Sequence, residues 1–141
     1  MIDRILKVKG LTDQELVFYA QLKGDFYRHV LTVDPESAKD ELLKEKCLNS
    51  YESGIETIKS LSIVDPTRLS LIISLVVYYS DVLKDKKKAI EMAQSEFDKA
   101  IPEVDYLSDE WYREAILLLQ ILKDNIIMWS CELEELEELE E

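Results

Sequence analysis

The sequence predicts an all-α fold, an antiparallel array of long helices joined by short links. Apolar residues recur at spacings of three and four over most of the 141-residue chain. Helix start signals occur along the chain: a capping box begins at Thr12, and Asp-Pro pairs begin at Asp34 and Asp65. No stretch alternates β-branched with polar residues, so strands are not expected. With 47% apolar residues, the chain can bury one core without disulfides or metal.

The first part of the chain reads as two helices. Residues 2–9 look like the last turns of a helix that Gly10 ends. The next helix is expected from the capping box to about Thr32. Gly24 inside it costs roughly 1 kcal/mol relative to alanine, so another backbone is expected to pass close by. Its inward face is predicted to contain Leu16, Tyr19, Leu22, Phe26 and Val30.

Each Asp-Pro pair predicts a helix, with Asp as the N-cap and Pro at the first helical position. One helix is expected from Pro35 to about Leu61, and another from Thr67 to about Leu83. The latter is apolar nearly all round, so it should be central. The inward face of the former is predicted to contain Leu42, Leu43, Cys47, Tyr51, Ile55 and Ile58.

Two further helices complete the array. Asp85 caps one that Pro102 ends or kinks, because proline lacks a backbone donor and clashes with the preceding turn. Its inward face should hold Ile90, Ala93, Phe97 and Ile101. The last helix begins after Ser108 and carries two apolar rows. The first row contains Ile116, Leu119, Leu122, Lys123 and Ile126, and the second contains Leu118, Ile121, Asn125 and Trp129. One row should face the core, whereas the other needs another helix or a ligand.

The charge is concentrated at the C-terminus. Residues 1–131 are predicted to form one helical domain, and residues 132–141 an acidic, flexible tail. That tail holds seven Glu and no base, which leaves −6 of the formal charge of −13 for the rest. Its period of three drifts around a helix, and its glutamates repel one another. A solvated end is favoured over a binding role. The negative net charge of the chain argues against nucleic acid or anionic membranes as partners.

Catalytic and metal-binding patterns are missing from the sequence. Cys47 and Cys131 have no metal-ligand spacing, and there is one histidine. No nucleophile elbow or phosphate-binding glycine loop is present. An enzyme, a cofactor and a metal site are therefore not predicted. The most apolar run, residues 69–79, is too short to cross a bilayer. The free thiols suit a reducing compartment, and a cytoplasmic or nuclear location is expected.

Four segments resemble the 14-3-3 family in order and spacing. The strongest is residues 120–129, QILKDNIIMW, where the family reads QLLRDNLTLW. The others are residues 17–29 (VFYAQLKGDFYRH), residues 66–71 (PTRLSL) with Tyr78 and Tyr79, and residues 93–101 (AQSEFDKAI). The resemblance covers nearly the whole chain, but only the C-terminal portion of the family, from the end of its fourth helix onward.

The resemblance implies a groove for phosphoserine or phosphothreonine peptides. Arg28 corresponds to a phosphate-binding arginine, and Asn125 to an asparagine that holds the peptide backbone. Apolar groove residues correspond to Ile73, Val77, Leu117, Leu118, Ile121 and Trp129. Outside this resemblance, Arg28 could simply pair with Asp25, Asn125 could bridge neighbouring helices, and Leu118 and Trp129 would be ordinary core.

The departures from the family pattern concern polar groups. His29 replaces a tyrosine beside the arginine and is either a second phosphate donor or a surface residue. Gln21 replaces a lysine, and Ser74 replaces a second backbone-holding asparagine. The family's first helices, which supply dimerisation and two further basic ligands, have no counterpart in this sequence. One arginine is a weak clamp for a phosphate.

The sequence therefore predicts a 14-3-3-like adaptor that binds phosphopeptides with reduced affinity. The alternative is a degenerate helical scaffold or assembly protein that no longer reads phosphate. Self-association is also expected, because apolar surface on the helix that begins at Thr12 would lack its cover.

Overall fold

The structure is a computed structural model that describes residues 10–140, and five long α-helices account for most of them. The helices are α1 (Asp13–Val33), α2 (Glu41–Ile58), α3 (Pro66–Asp81), α4 (Lys86–Ala100) and α5 (Asp109–Glu140). Two short 3-10 segments, Ser37–Lys39 and Ile101–Tyr106, precede α2 and follow α4. Since residues 10–140 contain no strand, the predicted all-α class is confirmed. The helix predicted before Gly10 lies outside the described residues.

Helices α1, α3 and α5 run in the same direction, and α2 and α4 run against them. The Gln14 side-chain amide donates to Asp65 at 2.8 Å, so α1 and α3 begin at the same level. Lys86 at the start of α4 lies 3.5 Å from Glu132, which is toward the end of α5. The helices α4 and α5 are therefore antiparallel. α3 contacts all four other helices and is the central one, as predicted. Its neighbours α1 and α5 lie on either side of it, which leaves one face shared by the three parallel helices.

The start signals predict four of the five helices correctly. Thr12, Asp65, Asp85 and Ser108 each stand before a helix, and the Thr12 capping box forms with Glu15. The start predicted at Pro35 is wrong. Oxygens of the Asp34 carboxylate accept from the Glu36 backbone N–H and the Ser37 hydroxyl, at 3.1 and 2.8 Å, and so stabilise a turn. The helix begins only after Asp40, whose carboxylate accepts from Leu43 N–H.

The inward face predicted for α1 is partly wrong. Leu22 and Phe26 are exposed, whereas the residues that bury completely are Val17, Ala20, Gly24 and Leu31. Helical spacing alone does not distinguish the two sides of a helix, and α1 has apolar residues at helical spacing on both sides. For the same reason, Leu42 of α2 and Ile101 after α4 are exposed instead of inward.

Gly24 marks the close approach of α1 to α2, but the neighbour is a side chain. A Cβ added there would lie 2.8 Å from Cζ of Tyr51. Real Cβ atoms do not come so near, so the ring would have to move. The close approach that the sequence predicts is therefore present, between α1 and α2. The Cys47 thiol fills the adjoining space and donates to the Gly24 carbonyl at 3.3 Å.

The acidic segment is part of α5, which is helical as far as Glu140. The flexibility expected for this segment remains a prediction. Glu132 pairs with Lys86, and Leu133 and Leu136 line a cavity of about 400 Å³ together with the start of α4. These contacts give the segment apolar and charged partners that an isolated helix would lack. The segment therefore lies against the start of α4.

A buried ion pair joins α3 to α4. The Arg68 guanidinium donates to a carboxylate oxygen of Glu96 at 2.6 Å and to the Ile63 carbonyl at 3.1 Å. Both side chains are almost completely buried. Each buried charge is thus paired, and the arginine also satisfies a loop carbonyl.

The two cysteines should differ in reactivity. Burial raises the pKa of Cys47 to about 12, whereas Cys131 is exposed. The thiolate is the form of cysteine that reacts with a disulfide reagent. At about pH 8 we therefore expect one thiol of the native protein to react rapidly and to release one equivalent of the reagent's chromophore. The other thiol should react only after the protein is unfolded. The Cys131→Ser variant should lose the rapid phase. Rapid reaction of both thiols in the native protein would contradict this prediction.

Candidate functional site

The face shared by α1, α3 and α5 carries most of the predicted groove residues. Ile73 and Val77 stand one turn apart on α3 and are half-buried on this face. Leu118, Ile121 and Asn125 follow at spacings of three and four along the neighbouring side of α5. We call this surface the α1–α3–α5 face. It combines an apolar floor and wall with polar groups from α1.

Arg28 occupies the polar side of this face and is held by two neighbours. Its Nε donates to the Tyr51 hydroxyl oxygen at 3.1 Å, and its terminal nitrogen lies 3.4 Å from the Asp25 carboxylate. Tyr51 in turn donates to the same carboxylate oxygen at 2.6 Å. The three side chains form a closed triangle that fixes the guanidinium relative to α2.

The triangle also sets the charges of its members. Burial by itself would lower the pKa of Arg28, but the hydrogen bond to Tyr51 and the nearby carboxylate raise it, so the guanidinium stays charged. Burial, and then the hydrogen bond to Asp25, raise the pKa of Tyr51, so its phenol stays neutral. Arg28 is therefore a cation whose charge is partly balanced by Asp25.

Gln21 and Ser74, two of the positions where the chain departs from the family pattern, contact each other. The Gln21 amide nitrogen donates to the hydroxyl oxygens of Ser70 and Ser74, at 2.9 and 3.0 Å. This bridge ties α1 to α3 beside the apolar floor. The sequence gives no sign of this contact, because 53 residues separate Gln21 from Ser74.

The α5 wall differs from the prediction at Trp129. Its side chain is only 2% exposed and lies in the core row of α5. That row contains Ala115, Leu119, Leu122, Ile126 and Trp129. The assignment of Trp129 to the ligand-contacting wall is therefore corrected: its indole supports the wall from behind. Leu117 and Ile121 are exposed, and Leu118 and Asn125 are half-buried.

His29 is exposed, whereas its neighbour Arg28 is half-buried. Successive residues on a helix project about 100° apart, so the two side chains point in different directions. Within residues 10–140 its imidazole has no hydrogen-bond partner, while Arg28 is turned toward α2. A role for His29 as a second phosphate donor remains a prediction without a supporting contact.

Comparison with known proteins decides the family. The family model described as 14-3-3 protein matches residues 1–130. The chain belongs to the 14-3-3 family. It is 35% identical to 14-3-3 protein 7 of Solanum lycopersicum over 136 residues, which are 96% of this chain and 54% of that protein. It is 34% identical to 14-3-3 protein beta/alpha-A of Xenopus laevis over 133 residues, which are 94% of this chain and 54% of that protein.

The chain spans about half the length of the 14-3-3 relatives it matches. The match to 14-3-3 protein homolog 1 of Schistosoma mansoni, 33% identical, covers 94% of this chain and 52% of that protein. The resemblance stated from the sequence, to the C-terminal portion of the family, is confirmed. Across the described residues, no helix combines the length and the apolarity needed to cross a membrane.

Proposed function

We propose that this chain is a non-enzymatic adaptor that binds peptides containing phosphoserine or phosphothreonine, with the α1–α3–α5 face as the binding groove. The observation that carries the proposal is the guanidinium of Arg28, which Tyr51 and Asp25 hold in place on the helix that packs against α3. An oriented guanidinium forms strong charge-assisted hydrogen bonds to phosphate. Leu118 and Ile121 would accept apolar side chains of the peptide, and the Asn125 amide would pair with its backbone.

The same geometry supports a reduced affinity. Asp25 lies 3.4 Å from the Arg28 guanidinium, so a phosphate approaching that guanidinium also approaches a negative charge. The Gln21 amide is neutral and already donates to two hydroxyl groups. A single arginine, balanced in part by a carboxylate, attracts a doubly charged phosphate less than a cluster of cations would.

The proposal predicts that phosphorylation strengthens peptide binding and that Arg28 causes the difference. A hydrogen bond to a charged group contributes about 1.5–3 kcal/mol, so Arg28→Ala should weaken phosphopeptide binding by about 10- to 100-fold. Binding of the unphosphorylated peptide should change little. Fluorescence anisotropy with a matched pair of labelled peptides measures both.

Two controls make the test specific. Arg113→Ala removes an exposed arginine from the start of α5 and should leave both affinities unchanged. Circular dichroism should show that Arg28→Ala keeps its helices, since Tyr51 still donates to Asp25. Equal binding of the two peptides by the unaltered protein would overturn the proposal.

Equal binding would instead support the second candidate, a helical scaffold that no longer reads phosphate. One observation favours that function: apolar side chains are exposed in successive turns of α1, away from the groove. A scaffold would use such a surface for assembly and would be indifferent to Arg28→Ala.

A further inference from the structure

We propose that the acidic segment, residues 132–140, and the connection between α3 and α4 form a clasp whose two halves open and close together. In the closed clasp, the end of α5 holds this connection and the first turn of α4 in place. The two halves are joined by an ion pair and by a shared cavity. Both belong to this chain, and the proposal does not depend on phosphopeptide binding.

The apolar core row of α5 continues into the acidic segment. From Ala115 to Trp129 the buried residues follow at alternating spacings of four and three, and Leu133 and Leu136 continue this alternation. Apolar residues spaced in this way share one side of a helix. Leu139 falls outside the alternation and is 82% exposed. The acidic segment therefore turns two of its three leucines toward the start of α4, where they line the shared cavity.

Opposite charges meet across the clasp. The Lys86 ammonium lies 3.5 Å from the Glu132 carboxylate, and Lys84 and Lys87 line the shared cavity. Residues 132–140 contain six glutamates, which repel one another along a helix. The lysines at the start of α4 supply positive charge that an isolated acidic helix would lack. The closed clasp thus favours the helical form of the segment.

The connection between α3 and α4 contains a strained residue. The φ angle of Lys84 is +56°, and within residues 10–140 no other residue except a glycine has a positive φ. Such a conformation is unfavourable for a residue with a Cβ, and glycine usually takes this position after a helix. On either side of Lys84, the Asp85 N–H donates to the Tyr79 carbonyl at 2.9 Å. The strained residue therefore joins the end of α3 to the N-cap of α4.

The acidic segment supplies contacts that hold this strained residue. Backbone strain persists where the surrounding structure fixes it, and Lys84 shares its cavity with Leu133 and Leu136. The cavity, of about 400 Å³, also leaves the two halves without close packing, so the contact between them can open locally. When the segment leaves, the connection loses these contacts and opens with it. By linkage, loosening either half loosens the other.

Amide hydrogen exchange of the full chain, resolved by NMR, tests this coupling. The reporters are the N–H groups of Asp85 and Ala89 on one half, and those of the acidic segment on the other. Leu133→Ser removes a half-buried leucine and should speed exchange in both halves by about tenfold. The matched control, Leu139→Ser, removes the exposed leucine and should leave Asp85 and Ala89 unchanged. Faster exchange in the acidic segment alone would show that the halves open independently, and it would overturn the proposal, as would unchanged exchange in both.

A charge exchange tests the ion pair. Glu132→Lys places two cations opposite each other and should speed exchange at the Asp85 N–H. In a Lys86→Glu background the same substitution restores opposite charges, so it should slow that exchange. Any effect of a glutamate on the N-terminal dipole of α4 is common to both Lys86→Glu proteins and cancels in the comparison. An equal effect of Glu132→Lys in the two backgrounds would overturn the clasp.

Discussion

Replacing Glu96 by alanine is expected to lower the free energy of unfolding by about 3–5 kcal/mol, because it leaves a buried arginine without its counter-charge. Arg68 has already exchanged water for the Glu96 carboxylate and the Ile63 carbonyl. Without Glu96, its positive charge lies among the apolar residues of α3 and α4 with one neutral acceptor. The urea midpoint should fall, with an unchanged dependence of unfolding free energy on urea.

A control variant and a double variant separate this pair from surface charge. Glu91→Ala removes an exposed carboxylate from the same helix and should change stability by less than about 0.5 kcal/mol. The double variant Arg68→Met, Glu96→Leu removes both charges and fills the space with apolar groups, so it should recover most of the loss. If Glu96→Ala and Glu91→Ala had equal urea midpoints, the pair would not be buried in solution.

Signals that depend on neighbouring residues predict the helices of this chain well. A capping box, an Asp-Pro pair or a Ser before acidic residues acts within one turn, so the sequence displays the whole interaction. The Asp34-Pro35 pair is the exception, because no α-helix begins there. The same carboxylate that could cap a helix accepts from Glu36 and Ser37 instead, and the choice depends on how the connection between α1 and α2 packs.

The buried side of each helix is harder to predict. The spacing of apolar residues shows which of them share a row, but it does not show which row faces the core. In α1, the row with Leu22 and Phe26 has the bulkier side chains, yet the row with Val17 and Gly24 is buried. Gly24 is needed there because the Tyr51 ring occupies the space of a Cβ. Nothing within α1 itself specifies that ring, which comes from the next helix.

The candidate site shows the same division. The resemblance to 14-3-3 proteins indicates the face that carries Ile73, Val77 and Asn125. It does not indicate that Gln21 bonds to Ser74, or that Arg28 bonds to Tyr51, because each contact joins residues on different helices. The charge balance of the groove follows from these contacts and so required the structure.

Replacing Trp129 by alanine should lower the free energy of unfolding by about 3–5 kcal/mol, the usual cost of emptying the site of a large buried aromatic side chain. Trp129 is 2% exposed and packs with Leu122 and Ile126 in the core row. Trp111→Ala, at a half-buried tryptophan of the same helix, should cost clearly less. Urea unfolding followed by circular dichroism compares the two variants without depending on the tryptophan signal itself.

The same variant distinguishes a supporting role from contact with a ligand. Trp129→Phe keeps an aromatic ring in the core, so we expect a smaller loss of stability and an unchanged affinity for the phosphopeptide. Ile121→Ala, at an exposed wall residue, should do the reverse, with little change in stability and weaker binding. If Trp129→Phe folded normally but bound the phosphopeptide much more weakly, the indole would contact the ligand, and its placement behind the wall would be wrong.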